Sequence, residues 1–238
     1  MFLRRFIKSG KGKVPVIISC VHGGSKKPKN IPDKIYGFKK SDTNTYPITE
    51  QIICSLKKRS IKIYYLLSKI HRSKIDLNRP ESSNDSFSRS SKRARRFHKR
   101  FHKKLSKIAK KCVKKYGKCV IFDIHGFTKP HEGYPDVIFG HLYGKTLNLL
   151  GYDDNSKRNQ EGSFFLLKEE ISKDFTVDDG LSMNQLNIEY CGGYITQKFY
   201  GMENAEVIQI EISKEIRIEP PLRDKIINAV IRAINAFI

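Results

Sequence analysis

Two histidines stand in matching surroundings. His22 follows the apolar run at 14–20, and His125 follows the apolar run at 119–124. Both runs read as buried strands, so each imidazole falls just past a strand end. Neutral imidazole is a good zinc ligand, and a catalytic zinc takes three protein ligands and keeps one position open for water. The segment at 76–79, Asp-Leu-Asn-Arg, sets an arginine beside two short polar side chains. A guanidinium there can grip a carboxylate through paired hydrogen bonds, although a loop held by its own side chains needs the same residues. Glu211 lies inside the run at 206–212. Alternation puts Val207, Gln209 and Glu211 on one face of a strand and Ile208, Ile210 and Ile212 on the other. The face with Glu211 reads as solvent-exposed or, beside a dry metal site, as the place for a general base with a shifted pKa. His98 and His102 are four residues apart, but lysines crowd them and no acid is near. They read as solvated helix surface.

The elements that must position these groups alternate. Strands are expected at 14–20, 61–67, 119–124, 136–140 and 206–212. A helix follows the first strand, with Ile48, Ile52, Ile53 and Leu56 at helical spacing behind the cap candidates at 42–45. Residues 80–90 read as an exposed loop and 151–162 as a polar one. A long helix within about 88–117 carries one stripe formed by Phe97, Phe101, Leu105, Ile108, Cys112 and Tyr116, and Gly117 supplies its stop. Further helices are expected at 164–175 and from Pro220, and 191–194 reads as a turn. This pattern predicts an α/β fold with a largely parallel sheet covered on both faces. Ligands in such folds bind beyond the carboxyl ends of the strands, the edge to which His22, residues 76–79, His125 and Glu211 all belong.

The chain of 238 residues has 46 Lys and Arg against 24 Asp and Glu, a net charge of +22. Fifteen of those cations lie between Asp85 and Asp123 with no acid among them, and without them the net charge falls to +7. Such a block can attract nucleic acid, but a solvated helix face explains it more simply. The hydrophobic share of 39% supports a sizeable core, and no apolar run reaches the ~20 residues of a membrane span. Five cysteines without a Cys-x-x-Cys pair suggest reduced thiols and an intracellular, cytoplasmic protein. The apolar part of the first eight residues is too short for a secretory signal.

Taken in order, the segments at 17–24, 72–80, 123–125, 136–140, 192–196 and 209–213 resemble the N-formylglutamate amidohydrolase family, over roughly residues 14–237. The stretch Asp-Leu-Asn-Arg-Pro at 76–80 is the most specific of them. That family resembles the zinc carboxypeptidases. The resemblance implies a single domain over 1–238 with a phosphorylase/hydrolase-like α/β/α sandwich, three layers around a mixed, largely parallel sheet. It implies one Zn2+ held by His22, His125 and a third ligand matched by Asp42, with Asp33 and Glu50 as fallbacks. A zinc carboxypeptidase has its glutamate ligand three residues after the first histidine, where this chain has Ser25. The resemblance makes Glu211 the general acid/base and Asn78 and Arg79 the clamp for a substrate carboxylate. Arg72 is expected to polarise the scissile carbonyl or to brace the loop, and Gly193 and Tyr194 to line the pocket. The expected reaction is hydrolysis of a small carboxylate-bearing amide, an N-acyl acidic amino acid. A carboxypeptidase-like peptidase and a nucleic-acid-associated protein are the alternatives.

Overall fold

Residues 16–20 are apolar or small, and every one is buried, as a strand covered on both faces requires. The structure is a computed structural model that describes residues 5–147, 162–182 and 185–238. In chain order its strands are β1 (Ile7–Gly10), β2 (Val16–Cys20), β3 (Tyr64–Ser68), β4 (Cys119–Gly126), β5 (Val137–Gly140), β6 (Val177–Asp178) and β7 (Ala205–Ile212). Its helices are α1 (Thr45–Lys58), α2 (Lys92–Tyr116), α3 (Ser163–Ser172), α4 (Gln185–Tyr190), α5 (Tyr194–Phe199), α6 (Lys214–Ile218) and α7 (Pro220–Phe237).

The strands form one mixed sheet in the order β1-β3-β2-β4-β7-β5-β6. The central four, β3, β2, β4 and β7, run parallel. β1 and β5 join them antiparallel. Alternation along the strands divides the core in two. Ile18, Ile124 and Ile210 pack with side chains of α1, α3 and α7 on one side, whereas Ile17, Ile121 and Val207 pack with side chains of α2 and α5 on the other. The result is the expected three-layer sandwich.

The stripe on α2 is buried at Phe97, Phe101, Leu105 and Cys112, and Gly117 closes the helix with φ 73°. A left-handed terminus of this kind suits glycine, which has no Cβ to clash. The described part of the fold departs from the sequence reading at several positions, and β6, α4, α5 and α6 were not anticipated. β1 is a short edge strand whose residues do not alternate in polarity. The segment at 80–90 is not wholly exposed, because Ser86, Phe87 and Ser88 are buried and Phe87 belongs to the α2-side core. His98 and His102 are buried rather than solvated. The expected polar loop at 151–162 lies outside the described residues, apart from Gly162.

Candidate active site

Parallel register puts the site together. In the β4–β7 ladder Asp123 faces Gln209 and His125 faces Glu211, while Ser19 of β2 faces Asp123. His22 follows β2 directly. His125 lies within β4, one residue before its end and not past it as the sequence suggested.

The turn before α1 frees Asp42 to join them. The cap of α1 is Asn44, in left-handed conformation and without a side-chain capping bond. Asp42 meets the helix start only through its backbone oxygen, which accepts from Thr45 N and Thr45 Oγ1. Its carboxylate is buried and points at the two histidines. Asp42 Oδ2 lies 3.4 Å from His22 Nδ1 and 3.5 Å from His125 Nδ1. One ligand atom from each of His22, Asp42 and His125 can be chosen so that all lie within 4.8 Å of one another. The fallback carboxylates are engaged elsewhere, Asp33 with Ser73 and Lys74 and Glu50 with Lys8.

Each imidazole is aimed by a carboxylate on its far nitrogen. Asp76 Oδ1 is 2.7 Å from His22 Nε2, and Asp123 Oδ2 is 2.7 Å from His125 Nε2. With Nε2–H donated outward, a neutral ring turns its lone pair on Nδ1 toward Asp42. His22 Nδ1 is buried and has no hydrogen-bond partner. The electrostatics favour a cation at this spot. Burial opposes charge on His125, yet Asp123 outweighs it and raises the pKa well above the usual histidine range. Burial also opposes charge on Asp42, but His22 and His125 hold its pKa far below the carboxylate range. This donor set, two nitrogens and an oxygen, fits a zinc-type ion.

The loop after β3 fixes the surroundings. Arg72 Nε donates to Asp76 Oδ2 at 2.8 Å and Nη1 to Asp42 Oδ1 at 3.3 Å, with the guanidinium over the Phe38 ring. Arg72 therefore braces both carboxylates from the cavity wall. Asp76 also accepts from Asn78 N and Lys34 Nζ. Arg79 is exposed at the cavity wall. Asn78 lies in the same wall, but its carboxamide already accepts from Ile195 N and donates to Gln209 Oε1. Gly193 is needed for this approach, since a Cβ there would meet the Asn78 carboxamide at 2.0 Å. Tyr194 is not in the cavity lining. Its ring packs on His102 at 4.9 Å, and on His98, whose Nε2 donates to Arg79 O. Burial draws the pKa of His102 down to about 3.

Two residues given no role by the sequence reading are built into the site. Gln209, 4% exposed, accepts from Gly193 N at 2.9 Å and donates from Nε2 to Glu211 Oε1 at 3.0 Å. A backbone N–H can only donate, so the amide oxygen must face Gly193 and the amide nitrogen must face Glu211. Arg217, also buried, donates to Ile212 O, Thr43 O and Phe127 O and so ties the end of β7 to the segments before α1 and after β4. Glu211 is buried, and burial lifts its pKa above the ordinary carboxylate range against the pull of His125. A cavity of about 1000 Å³ opens over His22, Asp42, His125, Glu211, Arg72 and Arg79.

The fold is of the α/β kind whose ligands bind at the carboxyl edge of the sheet, and here that edge carries a buried glutamate beside a cluster of two histidines and an aspartate. A model of the N-formylglutamate amidohydrolase family matches residues 14–216, and the chain belongs to that family of amide hydrolases. Its fold is similar to a crystal structure of N-formylglutamate amidohydrolase from Ralstonia eutropha, with TM-score 0.69 and 15% identity over 97% of each chain. A gene product of Agrobacterium tumefaciens is similar at TM-score 0.64 and 14% identity, over 97% of this chain and 94% of that one. A search of curated proteins gave no match. No described helix is long and apolar enough to cross a membrane.

Proposed function

We propose that the chain hydrolyses the amide bond of an N-acyl acidic amino acid, of the N-formylglutamate kind, with one zinc ion held by His22 Nδ1, Asp42 Oδ2 and His125 Nδ1. The observation that carries this reading is the convergence of three buried ligand atoms on one point, with both imidazoles aimed by outer carboxylates. When bound, such an ion lowers the pKa of a water ligand and polarises an amide carbonyl.

The chain's own groups supply the rest. Arg79 binds the substrate carboxylate, which makes the attack effectively intramolecular. Glu211, ionised and held by Gln209, takes a proton from the attacking water. Water oxygen bonds to the acyl carbon, the C–N bond breaks, and Glu211 returns the proton to the leaving nitrogen. Arg72 lends positive charge to the oxygen where negative charge develops. No covalent acyl-enzyme is required, and Cys20, the cysteine nearest the first histidine in sequence, is buried with its thiol pKa raised by desolvation.

Glu211→Gln tests the reading. The variant is expected to bind one equivalent of zinc and to release no amino acid from N-formyl-L-glutamate. Full activity in that variant eliminates Glu211 as the acid/base.

A further inference from the structure

The cavity is larger and more cationic than a formylated amino acid requires. Pockets of roughly 300–1,000 Å³ enclose ligands of drug size, and this one, at about 1000 Å³, reaches the top of that range. An N-formyl amino acid would fill a small part of it. Its lining holds the buried acids Asp42 and Glu211 and one exposed acid, Glu189, against five exposed cations, Lys27, Lys39, Lys40, Arg79 and Lys214.

These cations come from separate stretches of chain. Lys27, Lys39 and Lys40 lie between β2 and α1, Arg79 follows β3, and Lys214 follows β7. None belongs to the basic block of α2, and no residue of α2 lines the cavity. Their gathering is therefore a product of the fold and not of one lysine-rich run. Lysines close to them in sequence do find partners, Lys34 at Asp76 and Lys74 at Asp33. The five around the cavity have no carboxylate within ion-pair distance among the described residues. Like charges ranged about one concave site repel each other, and low-dielectric walls focus their field on whatever enters.

We infer that the substrate is a chain of several carboxylates, an acidic peptide or oligo-glutamyl amide, from which the enzyme releases a terminal acidic amino acid. The inference rests on the amide-hydrolase reading above and names the substrate class for the same site. Arg79 holds the carboxylate of the residue to be released, and the lysines hold carboxylates of the acyl part. Water adds across the scissile amide as before, giving a shortened chain that ends in a carboxylate and a free amino acid.

The test uses the zinc-loaded full chain and measures free glutamate released from a graded series. Its members are N-formyl-Glu, N-acetyl-Glu-Glu and N-acetyl-Glu-Glu-Glu, the last two prepared with α and with γ linkages. N-acetyl-Gln-Gln-Glu is the neutral control of equal length. The expected result is kcat/KM at least tenfold higher for an acidic trimer of one linkage than for the neutral trimer at low salt, with the advantage shrinking in concentrated NaCl. The double variant K39E/K40E should bring that ratio close to one. Because both lysines are exposed, thermal melting of the double variant should match the wild type, and K27E/K214E repeats the test independently. Cleavage of N-formyl-Glu with an acidic-to-neutral ratio below twofold overturns the inference and leaves the amidase reading standing. A ratio that survives both double variants also overturns it. Release of glutamate from no member of the series overturns both.

Discussion

Replacing Gln209 with leucine keeps most of the side-chain volume but removes one hydrogen bond to Glu211 and two acceptor contacts. Gln209 donates to Glu211 Oε1 at 3.0 Å and accepts from Gly193 N and Asn78 Nδ2 at 2.9 and 3.2 Å. A hydrogen bond to an ionised group contributes about 1.5–3 kcal/mol. If about 2 kcal/mol of that serves to align the Glu211 carboxylate in the transition state, kcat falls about 30-fold. The stranded Gly193 and Asn78 donors cost about 1–3 kcal/mol each in stability, which lowers the melting temperature by roughly 4–24 °C in a chain of this size. Zinc content should not change, because no hydrogen bond links Gln209 to His22, Asp42 or His125. Gln209→Glu keeps the acceptor for Gly193 but turns the donor into a second carboxylate against Glu211, so kcat should fall at least as far. The assay is release of glutamate from N-formyl-L-glutamate, with kcat and KM separated. A folded, zinc-loaded Gln209→Leu enzyme with kcat within threefold of wild type would refute the alignment argument.

Arg79→Ala should raise KM for N-formyl-L-glutamate about tenfold or more with a smaller change in kcat, as expected for loss of a charge-assisted contact with the substrate carboxylate; an unchanged KM removes the clamp. Asp76→Asn should destabilise the metal-free protein at pH 7 by about 3–5 kcal/mol, since Asp76 is the buried partner of His22, Arg72 and Lys34. Burial works against the charge of Asp76, but His22 and then Arg72 hold its pKa well below the carboxylate range. A depressed folded pKa gives stability that is present above the unfolded value of about 3.9 and lost as pH falls toward the folded one. The gap between wild type and variant should therefore narrow below about pH 4 in chemical denaturation, and a gap constant from pH 7 to pH 3 contradicts the ion-pair account.

The apolar runs were legible because a strand covered on both faces has little choice of residue, and β2 and β4 fall where the runs fall. The stripe of α2 was legible because a helix buried on one face repeats its apolar residues every three or four positions. His98 and His102 were misread because the count of neighbouring lysines says nothing about what covers a helix flank. Each follows a stripe residue, Phe97 or Phe101, and the flank they occupy is covered by Tyr194 and the backbone of Arg79. Phe87 was the one large apolar residue in a polar stretch, and its core position was the missed signal. The parts of the site that depend on register were not legible. That Gln209 lies beside Asp123, and Glu211 beside His125, follows from how β4 and β7 align. Arg217 satisfies backbone carbonyls from three separate segments of chain, a role no local pattern announces.

The most direct measurement is elemental analysis of the purified chain after dialysis against a weak chelator, run beside His125→Ala and Asp42→Ala. One equivalent of zinc in the wild type, lost in both variants while circular dichroism stays native, is the predicted result. A well-folded wild-type chain that retains no metal and recovers none from a zinc buffer, or variants that bind zinc as tightly as the parent, would contradict the assignment of a metal centre to His22, Asp42 and His125.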